Sequence, residues 1–297
     1  MIVKVNDLVP GETRPLDEID VTNLSEEEFW STYVCKHRPL VIRGGIKHWA
    51  ACEKWQEPQY LQSISNSVNG SVRYRRAFNS NPVPPITQKM ELREALNALI
   101  ETPHDKTFAI PGMNLPKRWK EDIGNYPFLQ SRIKRKPIFY QLNRLFLFRN
   151  ASTDWHTHPA DETICSQIVG SKKVSMFRCT DKNWDKYAPY IEKNIHHMSL
   201  DESYFPDKSD LIKFEGVLQE GDSLYIPPFW WHALDSNDTE FGINLARCFR
   251  SPLSRVGDFN EPVLKDLRKY TSIRQQIWVD SLIILSSLNR KFKGETW

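Results

Sequence analysis

Long apolar runs are missing from this 297-residue sequence. None approaches the roughly eighteen uninterrupted apolar positions that a membrane-crossing helix requires. The opening MIVKVNDLVPGETRPLDEID also lacks a basic start followed by an apolar stretch, so neither secretion nor membrane insertion is expected. Cysteine is scarce and odd in number: Cys35, Cys52, Cys165, Cys179 and Cys248 include no CxxC pair. That excludes a dense disulfide framework and a thiolate zinc site, and points to a reducing cytoplasm. Charge of one sign is lacking too, with 40 Lys+Arg against 37 Asp+Glu and a formal charge of +3. Such a balance gives no bulk attraction for nucleic acid, which is not an expected partner. Two local basic clusters, Arg132, Lys134, Arg135 and Lys136, and Arg73, Arg75 and Arg76, read as solvated faces or strand-edge charges. There is no internal repeat, and glycine amounts to 12 residues.

What is present is mainly β with flanking helices. Ser25 followed by Glu26, Glu27 and Glu28 marks a capped helix start, RPLVIRG a strand ending at Gly44-Gly45, PQYLQSISNS a short helix, and KMELREALNALIE another. From Lys136 the pattern becomes short strands between turns: PIFYQLNRLFLF, ETICSQIVG, KKVSMFR, DSLYIPP and EFGINLARCF. This density predicts an antiparallel sandwich or barrel. Beyond Pro252 the sequence returns to helix, so the division is residues 1–252 as one domain and 253–297 as a helical extension. Ile277, Trp278, Leu282, Ile283 and Leu285 are too many apolar side chains for a free helix. The extension is expected either to cover the barrel or to pair with a second copy as a homodimer.

The most informative stretch is Trp155-His156-Thr157-His158-Pro159-Ala160-Asp161-Glu162. On an extended chain His156 and His158 project to one face, so two imidazoles reach one point. A third donor is required to hold an ion while leaving positions open, and His232 supplies it at the end of GDSLYIPPFWWH, where Pro227-Pro228 stiffens the approach. A catalytic first-row metal bound by His156, His158 and His232 is therefore expected, with iron the leading candidate. His196-His197 lacks such a setting and reads as loop. Trp155, Phe229, Trp230 and Trp231 flank the histidines and are expected to line a substrate pocket, although strand alternation sends one of Trp230 and Trp231 outward.

These motifs resemble the cupin superfamily, and within it the JmjC-like oxygenases. RPLVIRGGIKHWAACEKW is similar to that family's N-terminal segment, Gly170-x-Lys172 to its second-strand turn, GDSLYIPPFWWH to its third-ligand motif and Gly242-Ile243-Asn244-Leu245 to its next strand. The resemblance implies a double-stranded β-helix (jelly-roll, cupin) core with N-terminal α/β decoration and C-terminal helices. It also implies Fe(II), 2-oxoglutarate as cosubstrate, dioxygen, and a small-molecule or peptide substrate. It makes His156 and His232 iron ligands, Lys172 the partner of the far carboxylate of 2-oxoglutarate, and Thr153, Asn244 and Thr163 residues that hold the cosubstrate or line the site.

One position departs from the family. Relatives read HxD or HxE, whereas here the third residue is His158. Three arrangements remain open: a three-histidine site; the same site with Glu162 added, as in the older cupin pattern HxHxxxE; or His158 with Asp161 or Glu162 in a shifted two-histidine, one-carboxylate site. The choice bears on function. Besides a 2-oxoglutarate-dependent hydroxylase, the sequence allows a three-histidine cupin oxygenase or lyase that takes substrate directly on the metal, or a non-enzymatic metal sensor or scaffold.

Overall fold

The computed structural model describes the chain apart from residues 1–8, 10, 66–70, 77–86, 105–107, 131–135, 197–210, 237–240 and 270. Six strands precede the core: β1 (Glu12–Pro15), β2 (Glu18–Asp20), β3 (Leu40–Arg43), β4 (Ser71–Arg76), β5 (Thr87–Glu91) and β6 (Phe108–Asn114). Eight more follow: β7 (Asn143–Arg149), β8 (Ser152–His156), β9 (Asp161–Val169), β10 (Lys172–Phe177), β11 (Ile212–Leu218), β12 (Ser223–Ile226), β13 (Trp231–Ser236) and β14 (Gly242–Arg250). A five-stranded sheet runs β1-β11-β10-β13-β8 and a nine-stranded sheet runs β2-β3-β12-β9-β14-β7-β6-β4-β5. Strands β7 to β14 thus divide between two facing sheets in jelly-roll order, the arrangement expected for a cupin core.

The expected elements need two corrections. The segment read as a helix around KMELREALNALIE is strand β5 to Glu91, and the helix runs only over Leu92–Glu101, started by a capping box between Glu91 and Glu94. Pairing of β5 with β4 overrides local helix propensity there. The strand expected at PIFYQLNRLFLF begins only at Asn143, because the amides of Ile138, Phe139 and Tyr140 turn to the Asp161 carboxylate instead of to a neighbouring strand. Every residue of β9 is buried. One of its faces lies inside the barrel and the other under the N-terminal helices, so alternation of polarity disappears.

Other signals fold as read. Ser25 Oγ accepts the amide of Glu28, and Pro58 opens the helix Pro58–Ile64. The Gly221-Asp222 turn has a mechanical role: the Asp222 carboxylate takes Arg43 at 2.5 Å, the Gly44 amide at 2.9 Å and the Gln219 amide at 3.0 Å, tying β3 to the β11–β12 turn. The tail splits at Ser272, which caps a second helix, giving Pro262–Arg268 and Ile273–Lys293. Ile283 packs with Phe229, Val263 and Leu264 against the barrel. Among the described residues no helix is long and apolar enough to cross a membrane.

Of the basic clusters, Arg132, Lys134 and Arg135 lie outside the described residues, as does His197, and the side chains of Arg73, Arg75, Arg76 and His196 are not described.

Candidate metal centre

Strands β8 and β13 are antiparallel neighbours with His156 opposite His232. Their ring centroids are 4.2 Å apart, and His158, in the loop just beyond β8, closes the triangle at 5.0 and 4.7 Å. One nitrogen from each ring lies within 4.8 Å of the other two. The loop is fixed from the far side, where the His158 carbonyl accepts the Phe229 amide at 2.9 Å, joining the two histidine-bearing turns.

The ring nitrogens are already sorted. His232 Nδ1 lies 3.0 Å from the Trp230 carbonyl, which only accepts, so Nδ1 carries the proton and Nε2 offers a lone pair. His158 Nδ1 lies 3.0 Å from Thr163 Oγ1, while its Nε2 is buried without a hydrogen-bond partner. Burial holds His158 and His232 well below the ordinary histidine range, and repulsion from the neighbouring rings adds to it. Neutral imidazoles converging on one point, one with an unsatisfied buried nitrogen, suit a borderline divalent cation such as iron, zinc or nickel.

The carboxylates go elsewhere. Asp161 accepts the amides of Ile138 and Phe139 at 2.7 Å each and that of Tyr140 at 3.3 Å. Glu162, on the face of β9 opposite Thr163, takes the Tyr225 hydroxyl at 2.6 Å under the N-terminal helices, and burial pushes its carboxyl up to about 8. Neither joins the cluster, so the geometry gathers three histidines and no carboxylate among the described residues.

Deeper in the barrel Lys172 is 3% exposed. Its ammonium rests 3.7 Å from the centroid of Phe148, and among the described residues no carboxylate pairs with it. Burial lowers it to about 8. Phe148 is held against Gly242, where a Cβ would fall 2.2 Å from the ring. Asn244 sits on the same inner surface, its Oδ1 accepting Cys165 Sγ at 3.0 Å and its Nδ2 donating to Gln167. Thr153 reaches this surface although it lies an odd number of positions, three, before His156. A bulge between His232 and Leu234 turns both inward, and Thr153 Oγ1 accepts the Leu234 amide at 2.9 Å. Thr163 stands behind His158 rather than in the open cavity.

The expected tryptophan pocket is corrected. Trp155 and Trp231 pack with Phe177 on the outer face of the five-stranded sheet, because residues flanking an inward histidine on a strand point outward. Trp230 precedes β13, packs on Phe214 and donates its indole to the His37 carbonyl at 2.9 Å. Phe229, in a left-handed turn at φ 68°, packs on Trp297. The aromatic residue beside the centre is Tyr140, 4.7 Å from the His158 ring, with the Arg144 guanidinium 4.6 Å from its other neighbour, the tyrosine ring centroid. Burial pushes the Tyr140 hydroxyl up to about 12. Arg144 also approaches Cys248, which touches Thr163. Sequence reasoning missed Tyr140 and Cys248; their positions depend on Asp161 and on β14 register. Arg149 binds the Leu99 carbonyl away from the centre.

A jelly roll with three histidines converging at its mouth defines a cupin, and the family model for the cupin-like domain matches residues 26–252, so the chain belongs to that family. Its relatives include proteins named as lysine-specific demethylases and as a tRNA wybutosine-synthesizing protein. The lysine-specific demethylase JMJ30 of Arabidopsis thaliana is 26% identical over 226 residues, covering 72% of this chain and 51% of that protein. Lysine-specific demethylase 8 of Xenopus tropicalis is 24% identical over 237 residues, covering 74% and 50%. The tRNA wybutosine-synthesizing protein 5 of Homo sapiens is 20% identical over 251 residues, covering 79% and 78%. The chain spans about half the length of the two demethylases.

Proposed function

We propose that this protein is an Fe(II)-dependent oxygenase that uses 2-oxoglutarate and dioxygen to hydroxylate a protein side chain or a small metabolite. His156, His158 and His232 hold the ion. The ferrous ion, when bound, supplies the oxidising chemistry. The observation that carries the cosubstrate is Lys172: a buried ammonium resting on an aromatic ring on the cavity side of the barrel, with no carboxylate in ion-pair contact among the described residues, is costly unless an anion joins it. The far carboxylate of 2-oxoglutarate meets that requirement, with Asn244 and Thr153 beside it. Thr163 fixes the orientation of His158, and Tyr140 and Arg144 wall the centre from solvent.

The test is conversion of 2-oxoglutarate to succinate by Fe(II)-loaded protein prepared without oxygen, together with titration of 2-oxoglutarate into wild type and Lys172→Ala. Binding to wild type and its loss in the variant is expected. Binding to neither removes the cosubstrate from the reading.

One observation favours a second reading. Asp161 and Glu162 are both engaged away from the cluster, leaving a neutral three-histidine set, as in cupin oxygenases or lyases that take substrate directly on the metal. Dioxygen consumption without succinate release would select it. We assign the protein to the cytoplasm, read residues 253–297 as an extension of the 1–252 domain, and assign a homodimer to the outward apolar face of helix Ile273–Lys293.

A further inference from the structure

Beside the candidate centre lies a groove of about 180 Å³ whose walls come from two parts of the chain. Phe139, Pro159 and Ala160 form the barrel side, and Leu264, Val279 and Ile283 are prominent on the side of the C-terminal helices. Arg268, which is paired with Asp280, and Thr271, Gln275 and Gln276 make a polar rim. The barrel side is continuous with the centre: Pro159 and Ala160 follow His158 directly, and Phe139 precedes the Tyr140 ring that packs on His158. At the mouth Phe139 and Trp278, 41% and 45% exposed, meet edge to face at 5.2 Å.

Size decides what the groove can take. Sites that enclose a whole small molecule run to about 300–1,000 Å³. An apolar cavity of about 150 Å³ holds one benzene. The groove therefore has room for a single aromatic or branched aliphatic group, and its apolar walls with a polar rim suit a side chain carried on a hydrogen-bonding backbone. The occupant must also reach the centre. One to two residues of wall separate the groove from His158, roughly 4–8 Å of chain at about 3.8 Å per residue. A ligand spanning that distance in extended form places its apolar group one or two residues from the reacting position, at about 3.3 Å each.

We propose that this groove is an exosite for one apolar side chain of a peptide substrate, one or two residues from the residue modified at the centre. The proposal rests on the oxygenase reading for what happens at the centre, but not for binding in the groove. A long acyl chain exceeds the volume. The C-terminal helices thereby set sequence preference although they contribute nothing to the histidine cluster.

The test selects peptides from a randomised library on metal-loaded protein in the absence of oxygen. A selected peptide is then measured by fluorescence anisotropy against wild type, Val279→Trp, which fills the groove from the helix, and Thr271→Trp, which fills it from the rim. Wild type should enrich Phe, Leu, Ile or Met at one position, and both variants should weaken binding tenfold or more while keeping wild-type melting temperature and metal content. Peptides that bind the variants within twofold of wild type, or a selection with no apolar position, overturn the proposal. So does a change of oligomeric state in both variants without peptide selection, which would give the groove to a second copy. Failure of 2-oxoglutarate turnover with groove-dependent peptide binding intact would instead remove the 2-oxoglutarate-dependent reading and leave the exosite.

Discussion

The Lys172 ammonium lies 3.7 Å from the centroid of the Phe148 ring, deep in the barrel and without a carboxylate partner among the described residues. The ring offers weak attraction compared with the water the cation has lost, and burial lowers Lys172 to about 8. An anion bound there favours the charged form, so binding takes up a proton wherever the free lysine is neutral. The affinity for 2-oxoglutarate is expected to be flat below pH about 8 and to fall up to tenfold per unit above it, until the raised pKa of the complex is passed. Isothermal titration across that range checks the slope. Lys172→Met should abolish both the binding and its pH dependence; a flat profile with full affinity in the variant would place the carboxylate elsewhere.

Glu162 makes stability fall as pH rises. Burial raises its carboxyl from 4.5 to about 8, so between those values the folded chain holds a proton that the unfolded chain has released. Its contribution is complete below about pH 4.5 and is lost as pH rises through about 8, an effect on the order of a few kcal/mol. Glu162→Gln keeps an acceptor for the Tyr225 hydroxyl and carries no charge. The variant should melt close to wild type at mildly acid pH and above it at pH about 9. Parallel melting curves at all pH values would contradict the assignment.

The legible part of this molecule was its periodicity and its motifs. The HxH pair and the His232 that ends GDSLYIPPFWWH were legible as converging ligands because strand alternation and Pro227-Pro228 leave little freedom in direction, and the resemblance of these motifs implied a cupin. Less legible was anything depending on register. Thr153 and His156 share a face only because a bulge adds a residue to β8, and no local signal announces it. Trp155 and Trp231 carried the right chemistry for a pocket but the wrong parity, since each flanks an inward histidine on its own strand. Asp161 was legible as a carboxylate near the centre; that backbone amides from Ile138 to Tyr140 would claim it required the tertiary fold.

That carboxylate makes a prediction of its own. By holding three amides Asp161 seats Tyr140 on His158, at 4.7 Å between rings. Asp161→Ala leaves those amides without their acceptor and should cost about 3 kcal/mol, since hydrogen bonds to charged groups are worth about 1.5–3 kcal/mol each and water recovers part. Amide exchange at residues 138–140 should accelerate selectively. Unchanged protection there would mean the segment is held by something other than Asp161.

The helix Ile273–Lys293 exposes Ile277, Ile284, Leu288 and Phe292, 63, 50, 48 and 89% exposed, on one stripe opposite the face that packs on the barrel. Such a patch on a single helix is large for a monomer's surface. Light scattering coupled to size exclusion should report a dimer, converted to monomer by combining Ile284→Glu with Leu288→Glu. A wild-type monomer at tens of micromolar would refute the assignment of a homodimer to this face.

Thr163 tests the centre without touching a metal-binding nitrogen. Its hydroxyl, 3.0 Å from His158 Nδ1, selects which imidazole nitrogen faces the cluster, and Cys248 at 3.5 Å backs the hydroxyl in turn. Thr163→Val preserves shape and burial but leaves Nδ1 without its partner, so the ring loses the contact that orients it. Removing such an outer partner typically lowers metal affinity 10–100-fold. The expected result is a loss of that order in a competition titration with Fe(II) or Mn(II), while Thr163→Ser retains most of the affinity. Equal metal affinity in wild type and Thr163→Val would show that His158 is oriented by its loop alone, through the hydrogen bond from the Phe229 amide to its carbonyl.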